Sequence, residues 1–224
     1  MTNPPKTVTL TVHGIGTPDR AMEPGEEDVW VSVRQFEDVL DAVAGRGDVR
    51  ITFDDANASD LEIGLPHLVK RGLTAQFFLP AGLLGQPGRL NEDGVRELLA
   101  CGMTLGSHGW AHIDWRALTA GQVPQEMSKA SRVLGELAGD AVTEVSVPFG
   151  SYDRHVLQRL RDAGATRVYT SDTGRARPDA WLHARTSLRS SIDAGWIDQV
   201  LDGEPSLPRR ARNLAARTVK RLRG

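Results

Sequence analysis

A chain of 224 residues, 40% hydrophobic and 25% charged, is long enough for one sizeable core and falls within the range of a single α/β barrel-like domain. A formal charge of −2 gives no basis for nucleic-acid binding by the body of the protein. The single cysteine, Cys101, excludes an internal disulfide, and no apolar stretch is long enough to span a membrane.

The first strand is read at residues 7–12, where Thr alternates with Val and Leu, unlike the unbroken apolar core of a secretion signal; a cytoplasmic protein is expected on this reading. His13 follows directly. Residues 36–43 place apolar side chains at helical spacing and lead to a second strand at 49–54. A short helix at 65–70, closed by Gly72, precedes a strand at 74–79. Asn91 is the expected N-cap of a helix running through 95–101 and stopped by Gly102, with Cys101 read as a small hydrophobe on it. Strands at 104–107 and 144–147 then flank a helix at 125–137; a helix at 153–163, ended by Gly164, precedes strands at 167–169 and 184–188. Such alternation predicts a parallel sheet wrapped by helices, as an open doubly wound sheet or a closed barrel.

From Pro205 the composition changes. Arg209, Arg210, Arg212, Arg217, Lys220, Arg221 and Arg223 are unrelieved by any acid, while Ala211, Leu214, Ala215, Thr218 and Leu222 recur at helical spacing. Residues 205–224 read as a basic amphipathic helix appended to a domain at 1–204. It is either packed on the barrel, which we favour, or a peripheral contact with the inner membrane surface.

The polar residues that carry chemistry fall where strands end. Asp54 and Asp55 close the second strand, His108 follows the fourth with His112 four residues on, and Pro148-Phe149-Gly150 follows the fifth. In parallel α/β folds these loops share one face. On a helical turn, His108 and His112 would project together and could share a metal with a carboxylate. Taken singly, Asp54-Asp55 could cap a helix, the histidines could be unrelated loop residues, and 148–150 could be an ordinary turn.

In combination these motifs resemble the polysaccharide deacetylase family, also known as the NodB-homology group or carbohydrate esterase family four. Thr52-Phe53-Asp54-Asp55 is similar to its first motif, His108 to His112 to the second, and Pro148-Phe149-Gly150 to the third; the resemblance runs from about residue 7 to 188. It implies a distorted (β/α)7 barrel, NodB-like, here followed by the basic C-terminal helix. It further implies Asp54 as catalytic base, Asp55, His108 and His112 as ligands of a divalent metal, and the backbone N–H of Phe149 as an oxyanion donor. Zinc is the default metal, with cobalt, iron, manganese and nickel also compatible with such a donor set. No other cofactor is implied.

The chain departs from the family pattern at four places. Ala56 stands for the Gly after the paired Asp, Gly109 for Ser or Thr of the second motif, and Val147 for an Arg that commonly orients the base. The late Leu-x-His motif, source of the general acid, is missing in its usual form. His13, at the end of the first strand, or metal-bound water is the leading replacement. His183, just before the last predicted strand and so at its opposite end, is second. Trp110, Trp115 and Tyr152 lie near the motifs and could stack on a sugar or pack internally. The expected activity is hydrolysis of an N-acetyl group on a sugar, oligo- or polysaccharide, with an acetylated glycan or glycan precursor as partner. The alternatives are a hydrolase of non-sugar C–N bonds and a non-catalytic glycan-binding relative. The sugar and the oligomeric state are left open.

Overall fold

The computed structural model of the protein describes residues 6–203, 215 and 218–223. Strand β1 (Thr7–Val12) is buried along its whole length. Val8, Leu10 and Val12 join the main apolar core, so the two-residue period turns Thr7, Thr9 and Thr11 to the other face. Both faces are covered, as a barrel strand requires: helices lie on one side and the barrel interior on the other.

A small parallel ladder of β2 (Gly14–Ile15) and β3 (Trp30–Val31) follows, then α1 (Val33–Val43). Ser32 caps α1 in a capping box with Gln35, and the helix buries Phe36, Val39, Leu40 and Val43, one stripe at helical spacing. The chain continues through β4 (Val49–Asp54), α2 (Leu65–Lys70), β5 (Gln76–Leu79), α3 (Glu92–Ala100) and β6 (Thr104–Ser107). Next come α4 (Ala130–Ala138), β7 (Glu144–Ser146), α5 (Arg154–Asp162) and β8 (Arg167–Thr170). Asn91 caps α3 as expected, its side chain accepting from the Gly94 N–H; Asp153 does the same for α5 from the Val156 N–H. The short strands β9 (Arg175–Ala176), β10 (Leu182–Ala184) and β11 (Thr186–Ser187) precede α6 (Ala194–Leu201).

The sheet runs β10-β8-β7-β6-β5-β4-β1-β11, parallel along this path, with β9 antiparallel to β1. Its two ends are adjacent pieces of one segment. β10 pairs with β8, β11 pairs with β1, and Arg185 sits between them, so residues 182–187 close the ring as its seventh strand. The expected barrel is therefore present. The strand read at 184–188 is broken at Arg185, whose N–H is given to Thr170 O (2.8 Å) while its carbonyl accepts from Thr173 N–H (2.9 Å). Inside the ring Phe78 lies where Gly106 offers no side chain: a Cβ there would come within 2.3 Å of the Phe78 ring.

The helix read at 125–137 starts differently, with a wide π-type turn at Pro124–Lys129 before α4. Cys101 is exposed at the C-cap of α3 rather than packed as a hydrophobe. Among the described residues no helix is long and apolar enough to cross a membrane. Of the basic tail, residues 218–222 are helical and rest on the barrel. Lys220 Nζ donates to Gly150 O (3.1 Å) and to Asp172 Oδ1 (2.8 Å), and Arg154 N–H donates to Arg223 O (3.1 Å). Arg209, Arg210, Arg212, Leu214, Arg217 and the boundary at 204/205 lie outside the described residues.

Candidate active site

Asp54 is the last residue of β4, and with Thr52 it faces the barrel interior. The chain then turns sharply, because Asp55 and Ala56 are both left-handed at φ 76° and φ 57°. For Ala56 that conformation costs about 1–2 kcal/mol, which a glycine would avoid. Arg89 helps hold the turn, its Nη1 donating to Asp55 O (2.7 Å) and Asn57 Oδ1 (3.1 Å). The Asp55 carboxylate is thereby returned to the mouth of the barrel.

His108 follows β6, but residues 108–114 are not helical, so the expected helical turn does not unite the histidines. A loop with left-handed Gly109 (φ 82°) and His112 (φ 51°) does so instead. The buried carboxylate of Glu126 shapes it, accepting from Trp110 N–H (2.9 Å), Ala111 N–H (3.1 Å) and Trp115 Nε1–H (3.3 Å). A Cβ on residue 109 would lie 2.6 Å from Glu126 Oε2. The Gly that replaces Ser or Thr in this motif thus goes with an internal acid that occupies its side-chain space.

Asp55, His108 and His112 each offer a ligand atom, all within 4.8 Å of one another. Asp55 Oδ1 lies 3.4 Å from His108 Nε2 and 3.2 Å from His112 Nε2, yet it is buried without a hydrogen-bond partner. His108 Nδ1 donates to Ser146 O (2.9 Å), which aims Nε2 at the carboxylates. Burial alone would lower the His108 pKa, but the charges of Asp54 and Asp55 outweigh it and raise it. Burial dominates at His112 and pushes its pKa down to about 4. Burial would raise that of Asp55; the surrounding imidazoles overcome it and hold the carboxylate well below the usual range. Two imidazoles and one carboxylate around an orphaned buried oxygen fit a divalent metal.

Asp54 lies beside this trio, its Oδ2 3.7 Å from His108 Nε2, and is held by other partners. Arg185 Nη1 donates to its Oδ1 (2.7 Å) and Nη2 to its Oδ2 (2.6 Å). Ser146 Oγ donates to Oδ2 (3.1 Å), and Arg185 also reaches Thr52 Oγ1 (3.2 Å). Acid and base partners are each 1% exposed. Burial opposes ionisation of Asp54, but Arg185 and His108 overcome it and lower its pKa. Sequence reading missed this arginine. Val147 marked a lost charge in the third motif, and its replacement comes from the closing strand.

The model of the polysaccharide deacetylase family matches residues 42–168, more than half of the chain and a span that holds all three motifs. The chain belongs to the polysaccharide deacetylase family. Among curated relatives, YxkH of Bacillus subtilis (strain 168) is 27% identical over 143 residues, covering 64% of this chain and 51% of that protein. A chitin deacetylase of Arthroderma benhamiae is 24% identical over 165 residues, covering 71% of this chain and 44% of that protein. The chain thus spans about half the length of these curated relatives. The structure of the Streptococcus pyogenes deacetylase PplD, in complex with acetate, matches with TM-score 0.77 at 19% identity, covering 89% of this chain and 99% of that one. A polysaccharide deacetylase from Bacillus cereus gives 0.76 at 18%, covering 88% and 69%. Similarity at these identities is one of fold.

Within this deacetylase family's frame the remaining expected site residues separate. His13 follows β1 at the site: its charge environment is Asp55, Asp54, Arg185 and His108, and its Nδ1 is buried with no hydrogen-bond partner. Burial lowers its pKa despite the two carboxylates. Phe149 sits in a left-handed turn (φ 58°) with its ring 4.5 Å from that of His112. His183 is not brought to this group. It lies on β10 two residues before Arg185, deeper in the barrel beside the Tyr169 ring (5.3 Å), and its charged neighbours are Arg167, Arg50 and Glu144. Trp115 and Tyr152 are fully buried and pack internally; Trp110 is partly buried with Lys129 Nζ 3.9 Å from its ring centre.

Proposed function

We propose that this chain is a metal-dependent deacetylase that hydrolyses an N-acetyl group on a sugar within an oligo- or polysaccharide or a glycan precursor. The observation that carries the reading is the convergence of Asp55, His108 and His112 beside Asp54, an ionised acid outside that ligand set. A divalent metal held by those three residues, zinc by default, would supply Lewis-acid polarisation of the acyl oxygen and of water.

The chain's own groups account for the rest of the reaction. Arg185 and Ser146 keep Asp54 ionised and oriented, so it accepts the proton of the attacking water. The C–O bond to the acyl carbon forms, and negative charge passes to the acyl oxygen. The backbone N–H of Phe149 donates to that oxyanion, a contribution typically worth about 3–4 kcal/mol in hydrolases. Collapse breaks the C–N bond, and the proton taken up by Asp54 passes by way of His13 to the departing amine, which returns both groups to their starting states. Burial lowers the pKa of His13, so its ring starts neutral and passes a proton on without storing one.

The test is acetate release from a panel of acetylated chitooligosaccharides, small amides and cyclic ureides, with metal analysis of the same protein. The reading expects release from the sugars, loss of about 10²-fold or more in Asp54→Asn, and retained metal in that variant. Release only from non-sugar amides would overturn the substrate class, and glycan binding without turnover in any metal would overturn catalysis. A His13→Ala variant at full turnover would remove His13 as acid.

A further inference from the structure

We propose that the C-terminal helix and the neighbouring Phe149 turn form a docking surface for an anionic lipid bilayer, setting the mouth of the active site against the membrane. The claim concerns where the site is presented, and it rests on the deacetylase reading only for what is processed there.

The helix is laid on the barrel the wrong way round for an ordinary packing element. On residues 218–222 the cation Lys220 turns inward, to Gly150 O and Asp172, while Val219 and Leu222, three positions apart and so on one face, are 55% and 72% exposed. An amphipathic helix that only packed on the core would place its apolar stripe inward. The flanking Arg221 and Arg223 are exposed as well. Among the described residues the exposed large hydrophobics are Val69, Phe149, Val219 and Leu222, and the segments that carry the last three are tied together by Lys220, next to Val219, which bonds Gly150, next to Phe149. Phe149 is 59% exposed, and its ring lies against the metal-ligand candidate His112.

Charge selects the occupant. From residue 205 onward the chain has seven Lys and Arg and no Asp or Glu; removing them from the total of −2 leaves −9 for residues 1–204. A segment of that composition is attracted to an anionic surface, whereas the acidic remainder of the sequence is repelled by it. Exposed aliphatic side chains amid cations match a bilayer interface, where apolar groups enter the acyl boundary and cations meet headgroups. Nucleic acid would use the cations and leave Val219 and Leu222 in water.

The experiment is cosedimentation of the full chain with vesicles of phosphatidylcholine alone, or with about 30% phosphatidylglycerol, at about 0.1 M and about 0.5 M salt. Binding to the anionic vesicles at least about tenfold tighter than to neutral ones, lost at the higher salt, is expected. Val219→Ser with Leu222→Ser should reduce it about fivefold or more while acetate release from a soluble chitooligosaccharide stays within about twofold. Equal affinity for the two vesicle types, undiminished binding by the double variant, or tighter binding to a random-sequence RNA or to polyglutamate would each overturn the proposal. Failure of the deacetylase reading is separate: it appears as no acetate release with vesicle binding intact.

Discussion

Arg185 grips Asp54 through both terminal guanidinium nitrogens, at 2.7 and 2.6 Å, across 131 residues of sequence. The pair is formed where β10 gives way to β11, so the segment that closes the barrel also carries the cation that orients the proposed base. Packing of the guanidinium over Phe78 (5.3 Å) and Tyr169 (5.8 Å) fixes its plane.

Replacing Arg185 by Met would leave a buried, uncompensated carboxylate, and a loss of about 3–5 kcal/mol in folding stability is expected from denaturant unfolding. Arg185→Lys keeps the charge and loses the two-pronged geometry. It should lower kcat by about 10²-fold with KM and metal content little changed, since Asp55, His108 and His112 are untouched. A Lys variant with native kcat would show that orientation of Asp54 does not matter.

Gly109→Ser should destabilise the second-motif loop by about 2 kcal/mol or more, through both the left-handed backbone and the clash with Glu126. In a Glu126→Ala background the steric part disappears, so the two changes should be non-additive in a double-mutant cycle read by thermal unfolding. Strict additivity would mean that Glu126 does not fill the space of the missing side chain.

Metal binding should release protons. With its pKa raised by Asp54 and Asp55, His108 is protonated at pH values where an ordinary imidazole has begun to be neutral, whereas His112, at about 4, is already neutral. Affinity should therefore climb by about tenfold per pH unit up to the raised His108 pKa and then level off, with about one proton released per metal. Calorimetry in two buffers of different ionisation enthalpy reads this directly. The sign for the metal-free fold is opposite: the contribution of a raised imidazole is complete below about 6.5 and is lost as pH rises through its folded value. Proton release of zero, with flat affinity, would contradict the assignment.

Lys220→Ala removes a brace from the turn that holds Phe149, the proposed oxyanion donor. The expected result is a fall in kcat of about three- to tenfold with KM nearly unchanged, because the donor acts on the developing oxyanion and not on bound substrate. Lys220→Arg should restore part of it. An equal rise in KM with constant kcat would place the effect in substrate binding instead.

Much of the fold was legible because burial imposes a period. The Thr and Val alternation of β1, the stripe of Phe36, Val39, Leu40 and Val43, and the cap Asn91 are local patterns with local causes. The grouping of the candidate metal ligands Asp55, His108 and His112 was legible through spacing, though for a wrong local reason: a loop bent at Gly109 and His112, and not a helical turn, joins the histidines. Glu126 looked like any acid on a helix. Its burial beneath the loop depends on contacts with Trp110, Ala111 and Trp115.

His13 and His183 separate the two kinds of knowledge. His13 follows β1 and His183 lies within β10, and which end of the barrel each reaches follows from the direction of that strand and the parallel sheet: His13 emerges at the mouth, while His183 enters two residues below Arg185. The sequence by itself determined the strand and helix order, the motif residues and the family, because these depend on side-chain type and spacing. Only the tertiary structure decided that Arg185 replaces the charge absent at Val147, that Glu126 takes the space above Gly109, and that Lys220 turns inward. These pairings are made by ring closure and long-range packing, which bring together residues that no local pattern links.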